Sequence, residues 1–236
     1  MADMGGVIHI VNRGSNVKVL HGAKNKKIKL CLLSDMLKLW LTTCPDDFAG
    51  EYDDIEEMFK RGLTRLILRK RRGSADDYER WLLSLPMEYR DRIWVWGTPD
   101  TAEQLDVRGC VAEAGSFMGA VPESWKRVNC VAICRSLEQV KDLPDWVAGA
   151  LVGPIYQPFS ALEPMNALAD TANKMEAFSK ELSEIGNRIP VIVYGGFDQD
   201  NISEAKKLPV QGVSILGGIW NYADSINAFI KTLRSL

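Results

Sequence analysis

The sequence predicts an α/β protein, a single (β/α)8 barrel with a short N-terminal extension. Two observations predict it: short apolar runs alternate with amphipathic stretches, and there are eight such runs. Most runs are continuously apolar, as in parallel strands covered on both faces. Strands alternating with helices are typical of βαβ units; eight units favour a closed barrel, with an open doubly wound sheet as the alternative. The predicted strands are 28–33, 65–69, 93–96, 109–112, 128–134, 149–152, 190–194 and 212–216.

The length of 236 residues suits one barrel domain, which we place at residues 28–236. Residues 1–27 form the predicted extension, where two short β-like runs indicate a hairpin. The connection 153–168 is long for a link between a strand and a helix, and it contains three prolines. Long connections of this kind are typical of lids and binding loops.

Four amphipathic patterns predict helices between the strands. The first has a capping candidate at Asp53, the second ends at Gly186, and the last begins after Asp224. The four apolar faces are Ile55, Met58, Phe59 and Leu63; Met175, Phe178, Leu182 and Ile185; Ile202, Ala205 and Leu208; and Ile226, Phe229, Ile230 and Leu233.

The composition excludes several classes of partner. Lys and Arg number 29 against 31 Asp and Glu, so the net charge of -2 predicts no general attraction to nucleic acid or to an anionic membrane. No apolar run approaches the ~18 residues of a membrane span, and the first residues lack the pattern of a signal peptide. We therefore expect a cytoplasmic protein; its oligomeric state, a homo-oligomer included, stays open.

The five cysteines are interpreted as reduced thiols. Cys31, Cys110, Cys130 and Cys134 lie in or beside apolar runs, which suits buried thiols. No second pair accompanies Cys130 and Cys134, so the spacing predicts neither a zinc site nor any other metal site.

The last two predicted strands both run into a pair of glycines. Gly195 and Gly196 follow the seventh strand, and Gly217 and Gly218 follow Leu216 at the end of the eighth. Turns without Cβ atoms can bring main-chain N–H groups close to an anion, and a following helix N-terminus favours negative charge. In (β/α)8 barrels these two loops are the usual phosphate site, so we predict that they bind a small phosphorylated ligand. The alternative is that the glycines only permit tight turns.

A basic run, 69–72, follows the second predicted strand. Strand alternation sends Arg69 and Arg71 to the same side, where they could clamp a second phosphate or a pyrophosphate. A solvated basic loop is the alternative. Tyr156, after the sixth strand, is a candidate for stacking on a ligand ring, or for packing alone.

Acid–base candidates are few. His9 and His21 are the only histidines, and both precede the barrel pattern. Asp100 and Glu113 follow the third and fourth strands, as acids of the site or as helix caps and surface charges. Trp94 and Trp96 share a strand face and are assigned to the core; no catalytic residue is identified.

On these residues the chain from residue 28 onward resembles the thiamine phosphate synthase/TenI family, TIM barrels of thiamine biosynthesis. The segments PVIVYGGF at 190–197, Asn201 and GVSILGGIW at 212–220 are similar to the family pattern PVxAxGGI…N…GxxGVAVxxAIW. LRKR at 68–71 resembles the QxRxK element, and GPIY at 153–156 resembles GPxFxT.

The resemblance implies roles for these positions. The two glycine turns would hold a thiazole phosphate through Gly195, Gly196, Leu216 and Gly217, and the basic pair would bind the pyrophosphate of an aminopyrimidine. The family reaction expels that pyrophosphate with the help of Mg²⁺, and the thiazole nitrogen captures the resulting cation. No other cofactor is implied.

The chain departs from the family at the metal and acid–base positions. The metal-site elements fall on 96–98 and 109–116, where the family's aspartates are missing; the loop lysine falls near Ala161, and the tautomerase histidine falls near Arg135. Mg²⁺ is therefore expected only if synthase activity is retained. Three hypotheses follow: an enzyme of thiamine metabolism, a non-catalytic member that binds a ligand or a partner, and a different phosphate-binding isomerase with Asp35 and Cys110 as its acid and thiol.

Overall fold

The computed structural model describes residues 37–71, 73–159 and 165–236. In this part of the chain eight parallel strands close into a barrel, each pairing with the next and the last with the first. The (β/α)8 prediction is confirmed. The strands are β1 Lys38–Thr42, β2 Arg65–Leu68, β3 Ile93–Trp96, β4 Gly109–Glu113, β5 Asn129–Cys134, β6 Gly149–Val152, β7 Val191–Tyr194 and β8 Gly212–Ile215.

The first strand corrects the sequence analysis. The barrel begins with Lys38–Thr42, whereas the predicted strand 28–33 and the predicted hairpin within 1–27 lie outside the described residues. Two apolar runs compete in this region, and the long-range pairing of β1 with β2 and β8 selects the second. The other seven strands match their predicted bounds to within one residue at each end.

The predicted helices are found with small differences. α1 begins after Gly50, so Asp53 lies in its first turn and is not its cap. The side chain of Asp224 caps the last helix, and Gly186 ends the longest one, as predicted. The 202–208 pattern forms a 3-10 helix, Ile202–Lys207. The α-helices are α1 Glu51–Lys60, α2 Ala75–Leu82, α3 Pro99–Gln104, α4 Leu137–Asp142, α5 Ala172–Ile185, α6 Gly217–Trp220 and α7 Ser225–Ser235; further 3-10 helices are Met87–Arg92, Ala114–Phe117, Trp125–Arg127 and Gly186–Arg188.

Alternation along the strands divides the buried residues into two cores. In β1, Leu39 and Leu41 face the helices, while Trp40 faces the barrel interior. Trp40 and Trp94 are in contact there, with ring centroids 4.7 Å apart, which confirms the core assignment of Trp94. Because these indoles fill the interior, a ligand has room only at an open end of the barrel. None of the helices in the described ranges is long and apolar enough to cross a membrane.

The layer between strands and helices allows a matched test of stability. Leu66 of β2 is fully buried in this layer, whereas Leu83 is 71% exposed. Leu66→Ala is expected to lower the free energy of unfolding by about 2–5 kcal/mol, because it removes apolar contacts and leaves a cavity. Leu83→Ala should change it by less than about 0.5 kcal/mol. Denaturant unfolding measures both, and equal losses would contradict this assignment of the core.

Candidate functional site

The first glycine loop follows β7 and presses against the connection after β6. Gly195 and Gly196 adopt left-handed φ angles of 96° and 68°. A Cβ atom on Gly195 would lie 2.5 Å from the Cβ of Pro154, and one on Gly196 would lie 2.5 Å from the Cβ of Tyr156. Both the backbone angles and the close approach therefore require glycine.

Asn201 fixes the shape of this loop. Its side-chain Nδ2 donates to the carbonyl of Gly196 at 2.8 Å, and its Oδ1 accepts from the main-chain N–H of Asp198 at 2.9 Å. One amide side chain thus forms hydrogen bonds with main-chain groups on both sides of Phe197. The arrangement gives the Asn201 of the sequence pattern a definite structural role.

The second glycine loop, residues 216–218, leads from β8 into α6. A Cβ atom on Gly218 would overlap the carbonyl oxygen of Phe197, so the two glycine loops touch each other. Gly217 and Gly218 are the first residues of α6, and first-turn N–H groups have no partner within their own helix. Among the described residues no hydrogen bond uses the N–H of Gly196, Gly217 or Gly218.

Both glycine loops line one cavity of about 330 Å³ at the carboxyl end of the barrel. Such a volume suits a small ligand. The lining combines apolar walls, the glycine loops and a few polar side chains. Its residues are Thr42, Arg69, Trp96, Glu113, Ile133, Arg135, Leu151, Pro158, Phe159, Met165, Tyr194, Gly195, Gly196, Phe197, Ser214, Ile215, Leu216, Gly217 and Gly218.

Three charged side chains line the cavity among the residues that the structure describes. The guanidinium of Arg69 lies over the ring of Trp96, 4.3 Å from its centroid. Arg135 forms an ion pair with Glu113, with Nη2 and Oε1 2.9 Å apart. Within the described lining, two guanidinium groups against one carboxylate leave an excess of positive charge, which favours an anion.

The structure does not bring Arg71 and Tyr156 into this cavity. β2 ends at Leu68, and the main-chain N–H of Arg71 donates to the carbonyl of Pro45 at 2.8 Å, so strand alternation no longer applies. The guanidinium of Arg71 then pairs with exposed Asp46 at 2.7 Å. Tyr156 packs edge-on against Phe197, with centroids 5.2 Å apart, and is not among the residues that line the cavity.

Asp100 and Glu113, the two acids considered from the sequence, lie in different parts of the structure. Asp100 lies in the first turn of α3, where the cap is Thr98, and its Oδ1 accepts from Nε1 of Trp125 at 3.0 Å. Glu113 lies in the cavity with Arg135. Trp96 was assigned to the core alone, but it also forms part of the cavity wall.

Sequence reasoning missed Arg135 and Tyr194 as residues of the site. Arg135 follows β5 directly, and Tyr194 is the last residue of β7, so their positions at carboxyl strand ends were an available signal. The hydroxyl of Tyr194 is buried and has no hydrogen-bond partner in the described residues. Burial raises the pKa of Tyr194, although the nearby Arg135 acts in the opposite direction.

The residues of the cavity do not fit Mg²⁺. This ion is usually held by one or two carboxylates together with waters and phosphates. Glu113 is the one carboxylate among the described lining residues, and it is paired with Arg135. Across residues 37–71, 73–159 and 165–236, no group of three or more His, Cys, Asp and Glu side chains is placed to hold a metal.

The fold and the glycine loops at the ends of β7 and β8 define the class as a TIM barrel with its open cavity at the carboxyl end. Among solved structures, the chain is similar to a thiamine phosphate pyrophosphorylase from Bacteroides thetaiotaomicron. Sequence identity is 26% and the TM-score 0.66, over 85% of this chain and 97% of that one.

Other solved structures share the fold at lower identity. A thiamine phosphate pyrophosphorylase from Pyrococcus furiosus is 18% identical with a TM-score of 0.66, over 84% of this chain and 95% of that one. An N-(5'-phosphoribosyl)anthranilate isomerase from the same organism is 12% identical with a TM-score of 0.54, over 85% and 98% of the two chains. No protein-family model matches the sequence, and no curated protein does.

The first glycine loop yields a prediction about stability. Gly196→Ala should lower the free energy of unfolding by about 1–3 kcal/mol, because alanine is strained at a left-handed φ and meets Tyr156. Gly115→Ala is the control, since no atom lies within 4 Å of the added Cβ there. Thermal unfolding of the two variants is the measurement, and a Gly196→Ala protein as stable as the control contradicts the geometry.

The buried phenol of Tyr194 yields a prediction about pH. Its pKa is raised above the ordinary 10.0, so it should stay protonated at a pH that ionises exposed tyrosines. The pKa of Tyr194 is higher in the folded state than in the unfolded state. The contribution of the protonated phenol to stability is therefore complete below about pH 10 and is lost as the pH rises through the raised pKa. The phenolate absorbance difference between wild type and Tyr194→Phe reports this titration; a midpoint at or below 10.0 refutes the prediction.

Proposed function

We propose that this protein is a thiamine phosphate synthase/TenI-like barrel that binds a phosphorylated thiazole-type ligand at its carboxyl-end cavity. The observation that carries the proposal is the convergence of both glycine loops on a single cavity. The sequence patterns at 190–197 and 212–220 and the likeness to thiamine phosphate pyrophosphorylases support the same ligand class.

The phosphate would lie between the two glycine loops. Main-chain N–H groups at Gly196, Gly217 and Gly218 offer donors without a described acceptor, and donors of this kind suit phosphate oxygens. Because Gly218 touches Phe197, the loops are held together before a ligand arrives. Preorganised donors lose little entropy on binding.

The rest of the ligand would lie against the opposite side of the mouth. Trp96 and Met165 provide apolar surface for a small ring, and methionine sulfur suits contact with an aromatic edge. Arg69, stacked on Trp96, and Arg135 supply positive charge near that ring. Arg71 and Tyr156 take no part in the proposed site.

We propose binding without Mg²⁺-dependent formation of thiamine phosphate. The only described carboxylate of the cavity is committed to Arg135, so little remains to hold an ion beside a departing pyrophosphate. The isomerase alternative is not favoured at Cys110, whose thiol faces the helices beside Cys130 with a sulfur–sulfur distance of 3.6 Å. Its other candidate, Asp35, lies outside the described residues.

Thermal unfolding with added ligand tests the proposal. 4-Methyl-5-(2-phosphooxyethyl)thiazole at about 100 times its dissociation constant should add about 2.7 kcal/mol to the free energy of unfolding. Leu216→Glu places a carboxylate beside the proposed phosphate and should weaken binding by at least about tenfold through charge repulsion. Leu216→Gln has nearly the same size without the charge and should bind within about threefold of wild type.

Two results would count against the proposal. Absence of any stabilisation by the thiazole phosphate, inorganic phosphate or pyrophosphate removes the binding function. Equal binding by Leu216→Glu and Leu216→Gln moves the phosphate away from the second glycine loop. In addition, Mg²⁺-dependent synthesis of thiamine phosphate from the two precursors would restore the synthase hypothesis.

A further inference from the structure

The position of Arg69 depends on its main chain as well as on its side chain. It is the first residue after β2, exposed at the cavity, and its guanidinium lies over Trp96. No carboxylate in the described part of the chain forms an ion pair with it. Therefore the side chain is directed by the stacking contact and by the backbone from which it projects.

Thr43 holds that backbone from the neighbouring strand end. Its hydroxyl Oγ1 donates to the carbonyl of Arg69 at 2.8 Å and accepts from the main-chain N–H of Arg69 at 2.9 Å. Thr43 is completely buried, and its side chain does not line the cavity. One hydroxyl thus satisfies both main-chain polar groups of a single residue.

Other hydrogen bonds also join the segments that follow β1 and β2, but only Thr43 among them holds the main chain of Arg69. The N–H of Arg71 donates to the carbonyl of Pro45 at 2.8 Å, and Nζ of Lys70 donates to the carbonyl of Cys44 at 3.0 Å. These bonds hold the β1 and β2 loops together on the C-terminal side of Arg69. They do not touch the main chain of Arg69 itself.

We propose that Thr43 is a positioning residue, which sets the guanidinium of Arg69 toward the ligand without contacting it. The inference rests on the proposed function, since Arg69 is taken to face the ring end of the bound thiazole phosphate. Removal of the hydroxyl leaves the N–H and carbonyl of Arg69 without their partner, and a main chain that turns to find others carries the guanidinium away from Trp96.

A pair of substitutions separates the hydroxyl from the methyl group. Thr43→Val keeps the shape and loses the hydroxyl, whereas Thr43→Ser keeps the hydroxyl and loses the methyl group. With 4-methyl-5-(2-phosphooxyethyl)thiazole as the titrant, Thr43→Val should bind about tenfold more weakly and Thr43→Ser within about twofold of wild type. Should Thr43→Val fail to fold, Thr43→Ala against Thr43→Ser gives the same comparison.

An Arg69→Ala background distinguishes positioning from a general structural role. If Thr43 acts through Arg69, adding Thr43→Val to Arg69→Ala should weaken binding no further, because neighbouring residues that share one effect are not additive. A second loss of about tenfold in the double variant overturns the inference, as does a Thr43→Ser protein that binds as poorly as Thr43→Val.

The proposed function fails differently. Wild-type protein that does not bind the thiazole phosphate removes the function, and the inference with it. Wild-type protein that binds, with Arg69→Ala weakened and Thr43→Val unchanged, keeps the function and removes only the role of Thr43. Inorganic phosphate serves as the internal control, because it lacks the ring end and its binding should be the same in Thr43→Val and wild type.

Discussion

The contact between the two glycine loops is the constraint on which the site depends. β7 and β8 are neighbours in the closed barrel, so their carboxyl ends emerge side by side. Gly218 then meets the carbonyl oxygen of Phe197 without room for a Cβ atom, and Asn201 fixes the other face of the same loop. Any larger residue at 218 would separate the loops, and with them the N–H groups proposed to share one anion.

The sequence predicted the parts of the molecule that local chemistry decides. Continuous apolar runs found seven strands, and paired glycines after two of them identified the loops that line the cavity. β1 was missed because 28–33 and Lys38–Thr42 are both apolar, and only pairing with distant strands chooses between them. Arg71 was wrongly expected on the same side as Arg69, because side chains alternate only within a strand and β2 ends at Leu68.

The side chains at the mouth were harder to predict than the glycine loops. Glu113 is the last residue of β4 and Arg135 follows β5, and their ion pair exists only because β4 and β5 are adjacent. The position of Tyr194 at the end of β7 was an available signal, but its hydroxyl becomes unusual only when the barrel closes around it. A pair of glycines in the sequence indicates a turn or a close backbone approach that only glycine allows. The role of an arginine or a tyrosine depends instead on neighbours that the fold supplies.

The two ends of the cavity are therefore built on different principles. Main-chain atoms form the proposed phosphate end, and their geometry is tied to loop contacts that leave little freedom. Side chains such as Arg69, Trp96 and Arg135 line the rest of the cavity, and the barrel interior is already filled by Trp40 and Trp94. This division places the two glycine loops beside a cavity whose one described carboxylate, Glu113, is already paired with Arg135. The proposed anion site and the side chains beside it share a cavity but are supported by different residues. A substitution among those side chains can therefore change the chemistry while the anion site stays intact.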